Sequence, residues 1–275
     1  MSSEKPDYVM GHTERERRRL ALQAAVINPL TDSFLRHAGI SAGMHVLELG
    51  CGIGEVSLIT ARLVGPHGHV RCLDIDPAAL EIARGRIRSA GHDHVKFEQT
   101  DINGHASDYR YDAVIGRHIL IHTPDPLAIL RKAVSMVHTG GVIAFQEFDL
   151  SICPRSCPDL PLSYFATNLL VKLFCRIVPN PAMGAQLFHL MHEAGLPPPE
   201  CRRESIMDGG PFSPVYEWLA ETVRSLLPRM EEIGLTTAAE VDVDTLAQRM
   251  REEALKIRSA VVVCPMIGAF ARKPR

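Results

Sequence analysis

The feature that most constrains this chain is a glycine-rich turn that directly follows a short apolar run. Residues 45–49 (HVLEL) are predicted to form a buried strand, and the G-x-G-x-G turn from Gly50 to Gly54 follows it, before an amphipathic helical pattern over 56–64. A glycine in such a turn lets a ligand approach the backbone closely, because it has no Cβ. The spacing differs from the G-x-G-x-x-G fingerprint of dinucleotide-binding units. The turn therefore predicts a ligand-binding α/β fold.

Strand-like and helix-like segments alternate through the first half of the chain. Further strands are predicted at 70–73, 95–98, 111–115 and 142–146, with helices at 77–90 and 126–137, and Gly140-Gly141 is expected to end the second of these helices. Apolar strands that alternate with helices of this length indicate βαβ units and a parallel sheet. We expect an α/β fold with a doubly wound sheet.

The segments on either side of this core have different patterns. A helix is predicted over 13–38, in which Pro29 is expected to cause a kink or a break. After Leu150 the predictions are helices at about 161–177, 182–194, 213–229 and 242–256 and strands at about 201–208 and 260–270. Pro265, inside the last strand, predicts a bulge or an edge position. The expected regions are an N-terminal helical cap (1–38), a core (39–150), a mostly helical lid (151–258) and a final strand (259–275).

Composition excludes several classes of protein. The chain carries 30 Lys and Arg against 32 Asp and Glu, which argues against a strongly basic nucleic-acid binder. Seven cysteines, an odd number without a repeating framework, predict free thiols in a reducing compartment. The N-terminus is polar and the sequence has no long apolar stretch, so we expect no secretory signal and no membrane span. We expect a cytoplasmic protein that acts on a small molecule. We expect no bound metal and no nucleic-acid or membrane partner, and a homodimer is an open alternative.

Carboxylates follow the ends of the first three predicted strands. Glu48 comes two residues before Gly50, where it would repel a pyrophosphate and favour a ligand that carries a cation. Asp74 ends the second strand, 24 residues after Gly50, where a carboxylate can accept both ribose hydroxyl protons. Ile75 would then lie against an adenine, and Asp101 could accept from its amino group. S-adenosylmethionine (SAM) combines these features with a cationic sulfonium and amino group.

The stretches VLELGCGIG, CLDIDPAALEIAR, FEQTDI, YDAVIGRHILIHTPDP and HTGGVIAFQEFD occur in the order and at the spacing of a known family. Residues 39–150 resemble the core of class I SAM-dependent methyltransferases, of the type that acts on small molecules. The resemblance implies a seven-stranded, mostly parallel sheet of order 3-2-1-4-5-7-6, whose antiparallel last strand matches GAFARKP. It implies SAM as cofactor, with contacts from Glu48, Gly50, Cys51, Gly52, Asp74, Ile75, Asp101, Ile102 and Arg117.

The N-terminal segment from Tyr8 through Gln23 resembles a cap that many small-molecule members fold over SAM. Tyr8 and Gln23 are therefore predicted cofactor contacts, with ordinary helix-surface residues as the alternative. Arg19 and Gln23 are four residues apart and should share a helix face. Cys51, inside the glycine turn, also suits a small packing residue.

The acceptor of the methyl group is expected at the ends of strands four and five. His118 is the candidate general base, because a neutral histidine can take the proton released by methylation of oxygen or nitrogen. The alternative for His118 is a ring that lines the cofactor site. Arg117 is the second candidate catalytic residue, since it could hold an anionic substrate, or it could pair with a carboxylate such as Glu147. His122 is expected to be structural.

The predicted lid is rich in aromatic residues and methionine. Most of these side chains are expected to form the core of the lid itself, and the composition still favours a small, partly apolar substrate. The predicted function is methyl transfer from SAM to an O, N or C atom of a small organic molecule. The alternative is a SAM-binding protein of the same fold that does not methylate, such as one that accelerates a cyclisation or acts in regulation. The fold alone does not separate the two.

Overall fold

Short apolar runs form the strands of one sheet at the centre of the fold. The computed structural model describes residues 14–107 and 109–274. In this part of the chain a seven-stranded sheet has the order β3-β2-β1-β4-β5-β9-β6. Its strands are β1 (His45–Leu49), β2 (His69–Asp74), β3 (Val95–Gln99), β4 (Tyr111–Arg117), β5 (Val137–Phe148), β6 (Glu200–Glu204) and β9 (Met266–Arg272). Strands β1 to β5 pair in parallel, whereas β9 runs antiparallel to both β5 and β6. This is the predicted mostly parallel sheet and the predicted strand order.

Helices connect and flank these strands. They are α1 (Glu14–His37), α2 (Glu55–Val64), α3 (Pro77–Ser89), α4 (Pro126–Met136), α5 (Pro161–Ile177), α6 (Met183–Glu193), α7 (Val215–Glu232), α8 (Ala238–Val241) and α9 (Val243–Ile257), with a 3-10 turn at Leu120–His122. Asp76 and Asp125 start α3 and α4 by accepting bonds from Ala78 N and Ala128 N, each followed by a proline in the first turn. Such caps satisfy amides that have no partner within the helix.

The chain forms two compact units, of which the larger holds the sheet. This unit comprises Ile27–Ile152, Phe174–Ser205 and Cys264–Arg275. Its core contains side chains from both sheet and helices, among them Val46, Ile59, Val70 and Ala113, all at most 1% exposed. Parallel strands covered on both faces are expected to be this apolar. The carboxyl ends of β1, β2, β4 and β5 consequently lie at one edge of the sheet.

The smaller unit comprises the described parts of Met1–Val26, Cys153–Leu173 and Ile206–Val263. Buried residues of α7 and α9 form much of its interior, and β7 (Met207–Asp208) pairs antiparallel with β8 (Val261–Val262). The carboxylate of Glu253 accepts bonds from the first amides of α5, Leu162 N at 3.1 Å and Ser163 N at 3.4 Å. The boundaries of the cap and of the lid given above remain predictions.

Three local expectations were wrong. Helix α1 runs through Pro29 without the break that was one of the two expectations there, since buried residues such as Ile27 and Phe34 on either side hold it in place; the kink stays a prediction. Helix α4 ends at Met136, and Gly140-Gly141 lie inside β5. Pro265 separates two strands, because it has no N–H to donate to a ladder: β8 pairs with β7, whereas β9 lies between β5 and β6.

Candidate functional site

The glycine turn after β1 requires glycine for its backbone conformation. Gly50, Gly52 and Gly54 have positive φ angles of 64°, 52° and 83°. A Cβ on Gly50 would come within 2.7 Å of Cδ1 of Ile119, whereas a Cβ on Gly52 would meet nothing within 4 Å. The turn is therefore closely packed at Gly50 and faces open space at Gly52. A ligand can approach the backbone at Gly52 without displacing a side chain.

Asp74, at the end of β2, is bonded to the same turn. Its Oδ2 accepts from Gly52 N at 2.6 Å and its Oδ1 from Asp76 N at 2.9 Å. The next residue, Ile75, is a large apolar side chain that is 59% exposed. At the end of β3, Asp101 is exposed and accepts from Gly104 N at 2.6 Å, while Ile102 is buried. The turn, a half-buried carboxylate and an exposed apolar side chain thus lie at the ends of neighbouring strands.

Glu48 lies beneath the turn and is 2% exposed. It accepts from Oγ of Ser57 at 2.7 Å and from Sγ of Cys72 at 3.5 Å. Burial raises the pKa of Glu48 to about 7, even though these hydrogen bonds oppose the shift. Cys51 is also buried, and its N–H donates to Leu73 O at 3.1 Å. Glu48 therefore joins β1 to α2 and β2 inside the protein.

Arg117, the last residue of β4, joins β4 to α1 by hydrogen bonds. Its Nη1 donates to Oδ1 of Asn28 and to Oγ1 of Thr31, both at 2.9 Å. Thr31 donates to Oε1 of Gln146 at 2.8 Å, and Nδ2 of Asn28 donates to Oε2 of Glu55 at 2.9 Å. The pairing of Arg117 with Glu147 that the sequence left open is not observed. Burial lowers the pKa of Arg117 to about 10, so the guanidinium stays cationic at neutral pH.

Glu147 instead holds the 3-10 turn after β4. Its Oε1 accepts from the N–H groups of Ile119 at 2.9 Å and Leu120 at 2.8 Å, and its Oε2 accepts from Ile121 N at 3.4 Å. The side chain is fully buried, and burial raises its pKa to about 8 despite the three backbone donors. A glutamate shortly after the apolar residues 142–145 is the sequence signal for this role.

His118 lies in sequence between Arg117 and the 3-10 turn that Glu147 holds. It has a φ of 54°, an uncommon conformation for a residue other than glycine. Its ring stacks on Phe148 with centroids 4.5 Å apart, and its Nε2 is buried and has no hydrogen-bond partner in the part of the chain that the structure describes. Burial, assisted by the charge of Arg117, holds the pKa of His118 well below its usual value. The imidazole is therefore neutral at physiological pH and has an unused nitrogen.

The remaining predicted cofactor contacts are Gln23, which lies in α1, and Tyr8. Gln23 accepts from Nη1 of Arg19 at 2.8 Å, so the two share a face as expected. Tyr8 lies outside the described residues. Within the ranges 14–107 and 109–274, no group of three or more His, Cys, Asp or Glu is placed to hold a metal ion. No helix in these ranges has the length and apolar character needed to cross a membrane.

Comparison with known proteins defines the class of the chain. The sequence profile described as "Methyltransferase domain" matches residues 40–189. The chain belongs to this family, and its fold and turn are those of the class I enzymes that use SAM as methyl donor.

Among the relatives, the chain is 36% identical over 126 residues to a ubiquinone biosynthesis O-methyltransferase of Proteus mirabilis, covering 45% of this chain and 50% of that protein. It is 26% identical over 201 residues to the protein of that name from Thiobacillus denitrificans, covering 71% and 82%. A putative methyltransferase from Bacillus halodurans has a similar structure, with a TM-score of 0.56, 19% identity and coverage of 88% and 98%. The matched region spans half or less of the first curated relatives.

Proposed function

We propose that this protein transfers the methyl group of SAM to a small, partly apolar organic molecule at the carboxyl ends of β4 and β5. The observation that carries the proposal is the open backbone at Gly52, flanked by Asp74 on one side and by Arg117 and His118 across β1 and β4. When bound, SAM supplies a methyl group on a cationic sulfur. The strand order supports adenosine contacts near β2 and β3, with β4 and β5 left for the acceptor.

Each predicted contact has a role in this arrangement. Asp74 would take the ribose hydroxyls, and the exposed Ile75 would cover the adenine, with Asp101 and Ile102 at its edge. The other proposed contacts to SAM are Glu48, Gly50, Cys51 and Gly52 in and beneath the turn, Arg117 at the end of β4, and Tyr8 and Gln23 in the N-terminal segment.

His118 is proposed as the general base for an oxygen or nitrogen acceptor. Its ring is neutral before the reaction, and Nε2, which has no partner among the described residues, is the atom that would take the proton. In the transfer the bond between sulfur and methyl breaks and the bond between acceptor and methyl forms. The proton of the acceptor moves to Nε2 of His118, which leaves S-adenosylhomocysteine (SAH) and the methylated product. Arg117, the residue directly before His118, would keep a positive charge beside an anionic acceptor.

The small organic acceptor is supported by the names of the relatives, which are O-methyltransferases of ubiquinone biosynthesis. The aromatic and methionine side chains after Leu150 fit a partly apolar substrate. A homodimer and a cytoplasmic location remain proposals.

The test is to incubate the protein with SAM and a panel of phenols, amines and activated carbon acids, and to measure SAH and methylated product by mass spectrometry. Stoichiometric SAH and product with at least one acceptor is expected. SAM that binds but forms no SAH with any acceptor would instead favour the non-methylating alternative.

A further inference from the structure

Strand β3 lies at one edge of the seven-stranded sheet, and within the described residues it has a partner strand on one side only. Its residues Val95–Gln99 pair in parallel with β2 without a shift in register. At the two ends of this ladder, Val70 N donates to His94 O at 3.1 Å and Thr100 N donates to Asp74 O at 3.0 Å. Backbone groups of alternate residues face the same neighbouring strand, so the even-numbered residues of β3 bond β2 and the odd-numbered residues face outward.

The outer edge of β3 therefore carries a row of unpaired backbone groups. They are the C=O of Val95 and both backbone groups of Phe97 and of Gln99, since Val95 N donates to His92 O at 3.2 Å. None of them has a hydrogen-bond partner in residues 14–107 and 109–274. Gln99 is exposed and Phe97 is partly exposed, so the edge is accessible. Such an edge is a template for pairing with another strand.

A second copy of β3 that runs antiparallel to the first matches these groups. Two residues that lie directly opposite each other in an antiparallel pair can exchange both of their backbone bonds. With Phe97 of one copy opposite Phe97 of the other, these two residues exchange an N–H···O bond in each direction. Gln99 N of each copy then donates to Val95 O of the other copy. Of the outward groups, only the C=O of Gln99 is left unpaired.

The charges on β3 select this register among those that the backbone allows. Lys96 and Glu98 are two residues apart and project from one face of the strand. With Phe97 opposite Phe97, Lys96 of each copy lies opposite Glu98 of the other, with their Cβ atoms about 5 Å apart. A shift by two residues brings Lys96 opposite Lys96 in one direction and Glu98 opposite Glu98 in the other, and like charges in such positions are destabilising.

Both side chains are free to form these pairs. Lys96 is exposed and has no ion-pair partner in the described part of the chain. The carboxylate of Glu98 is 37% exposed and contacts Nδ1 of His105 at 3.1 Å and Nη1 of Arg71 at 4.0 Å. A carboxylate has about four acceptor positions, so Glu98 can accept from a lysine as well.

We propose that the outer edge of β3 is a homodimer interface, in which two copies join their sheets through antiparallel β3 strands related by a two-fold axis at Phe97. A C2 interface uses the same patch on both copies, as this self-complementary edge does. The strand has five residues, so the interface is small and the dimer is expected to exchange with the monomer. Asp101 follows the paired residues, and SAH binding is therefore a readout separate from dimerisation.

Sedimentation velocity of the whole chain over a range of concentrations tests the proposal. The wild type should approach twice the mass of the chain as the concentration rises. Lys96→Glu sets carboxylates opposite each other and Glu98→Lys sets ammonium groups opposite each other, so each should raise the dimer Kd about tenfold or more. An equimolar mixture of these two variants should form a heterodimer with close to wild-type affinity, because every charge again faces its opposite. Lys256→Glu in α9 and Glu193→Lys in α6, the same changes at exposed positions, should dimerise like the wild type.

A wild type that stays monomeric at about 200 μM overturns the proposal. It is also overturned if either single variant dimerises as well as the wild type, or if the mixture stays monomeric. Should Glu98→Lys fail to fold, as judged by circular dichroism, Lys96→Glu and Gln99→Pro decide. Gln99→Pro removes an N–H that β2 does not use, a position at which an edge strand tolerates proline. A Kd raised about tenfold in both supports the interface, and an unchanged Kd in either overturns it.

Discussion

Glu147 gives the protein a pH dependence whose size follows from its burial. Its pKa is raised from 4.5 to about 8, so the folded state keeps the proton over a range in which the unfolded chain loses it. The stabilisation is complete below the unfolded pKa and is lost as the pH rises through the folded pKa. Each pH unit in this window changes the free energy of unfolding by about 1.4 kcal/mol. Glu147→Gln removes the titration and keeps an oxygen for the amides of Ile119 and Leu120.

Relative to this variant, the wild type should lose about 2–3 kcal/mol between pH values of about 5.5 and 7.5. The measurement is urea unfolding of both proteins, followed by far-UV circular dichroism because Trp218 lies in the other unit. Glu48 titrates in both proteins and cancels in the difference. Glu193→Gln, the same change at an exposed residue of α6, controls for the lost charge. A difference between wild type and Glu147→Gln that stays constant with pH would refute the reasoning.

Two further substitutions test other parts of the account. His118→Ala should lower kcat by about 100-fold, because the general base is lost, while SAH affinity measured by calorimetry changes little; an equal loss of both would assign the ring to cofactor binding instead. Gly184→Ala should destabilise the fold by about 1–3 kcal/mol in urea unfolding, since its Cβ would come within 2.9 Å of Glu147 O and 3.1 Å of Asp149 N. Gly85→Ala in α3 is the matched control, because a Cβ there meets nothing within 4 Å, and a small gain in stability is expected. A loss of similar size in both glycine variants would mean that packing at Gly184 is not the cause.

The strands and the glycine turn could be predicted because local signals determine them, whereas the strand order was predicted from the resemblance to the methyltransferase family. Apolar strands, helix caps such as Asp76-Pro77 and glycines at positive φ each act within a few residues. Pro265 shows the limit of such signals. One apolar run contains two strands that join different sheets, and only the pairing with β5, β6 and β7 reveals this.

The partners of the candidate site residues depended on contacts that are distant in sequence. Arg117 bonds Thr31, 86 residues away, and Thr31 bonds Gln146, 115 residues away. Nothing near Arg117 in the sequence distinguishes these partners from Glu147, which follows Gln146, the register partner of Arg117 on β5. The sequence could therefore identify Arg117 and His118 as candidates. The hydrogen bonds that link Arg117 through Thr31 to Gln146 depend on how α1 packs, and the sequence does not reveal them.

The central claim is that the open turn between β1 and α2 binds the methyl donor, and SAH titration by isothermal calorimetry tests it most directly. The wild type is predicted to bind SAH, and Asp74→Asn, which keeps an oxygen for Gly52 N, is predicted to bind about tenfold more weakly or worse through loss of charged bonds to the ribose. Asp93→Asn, at an exposed position before β3, should match the wild type. No SAH binding by the wild type at high micromolar concentration, or equal affinity of Asp74→Asn and wild type, would contradict the account.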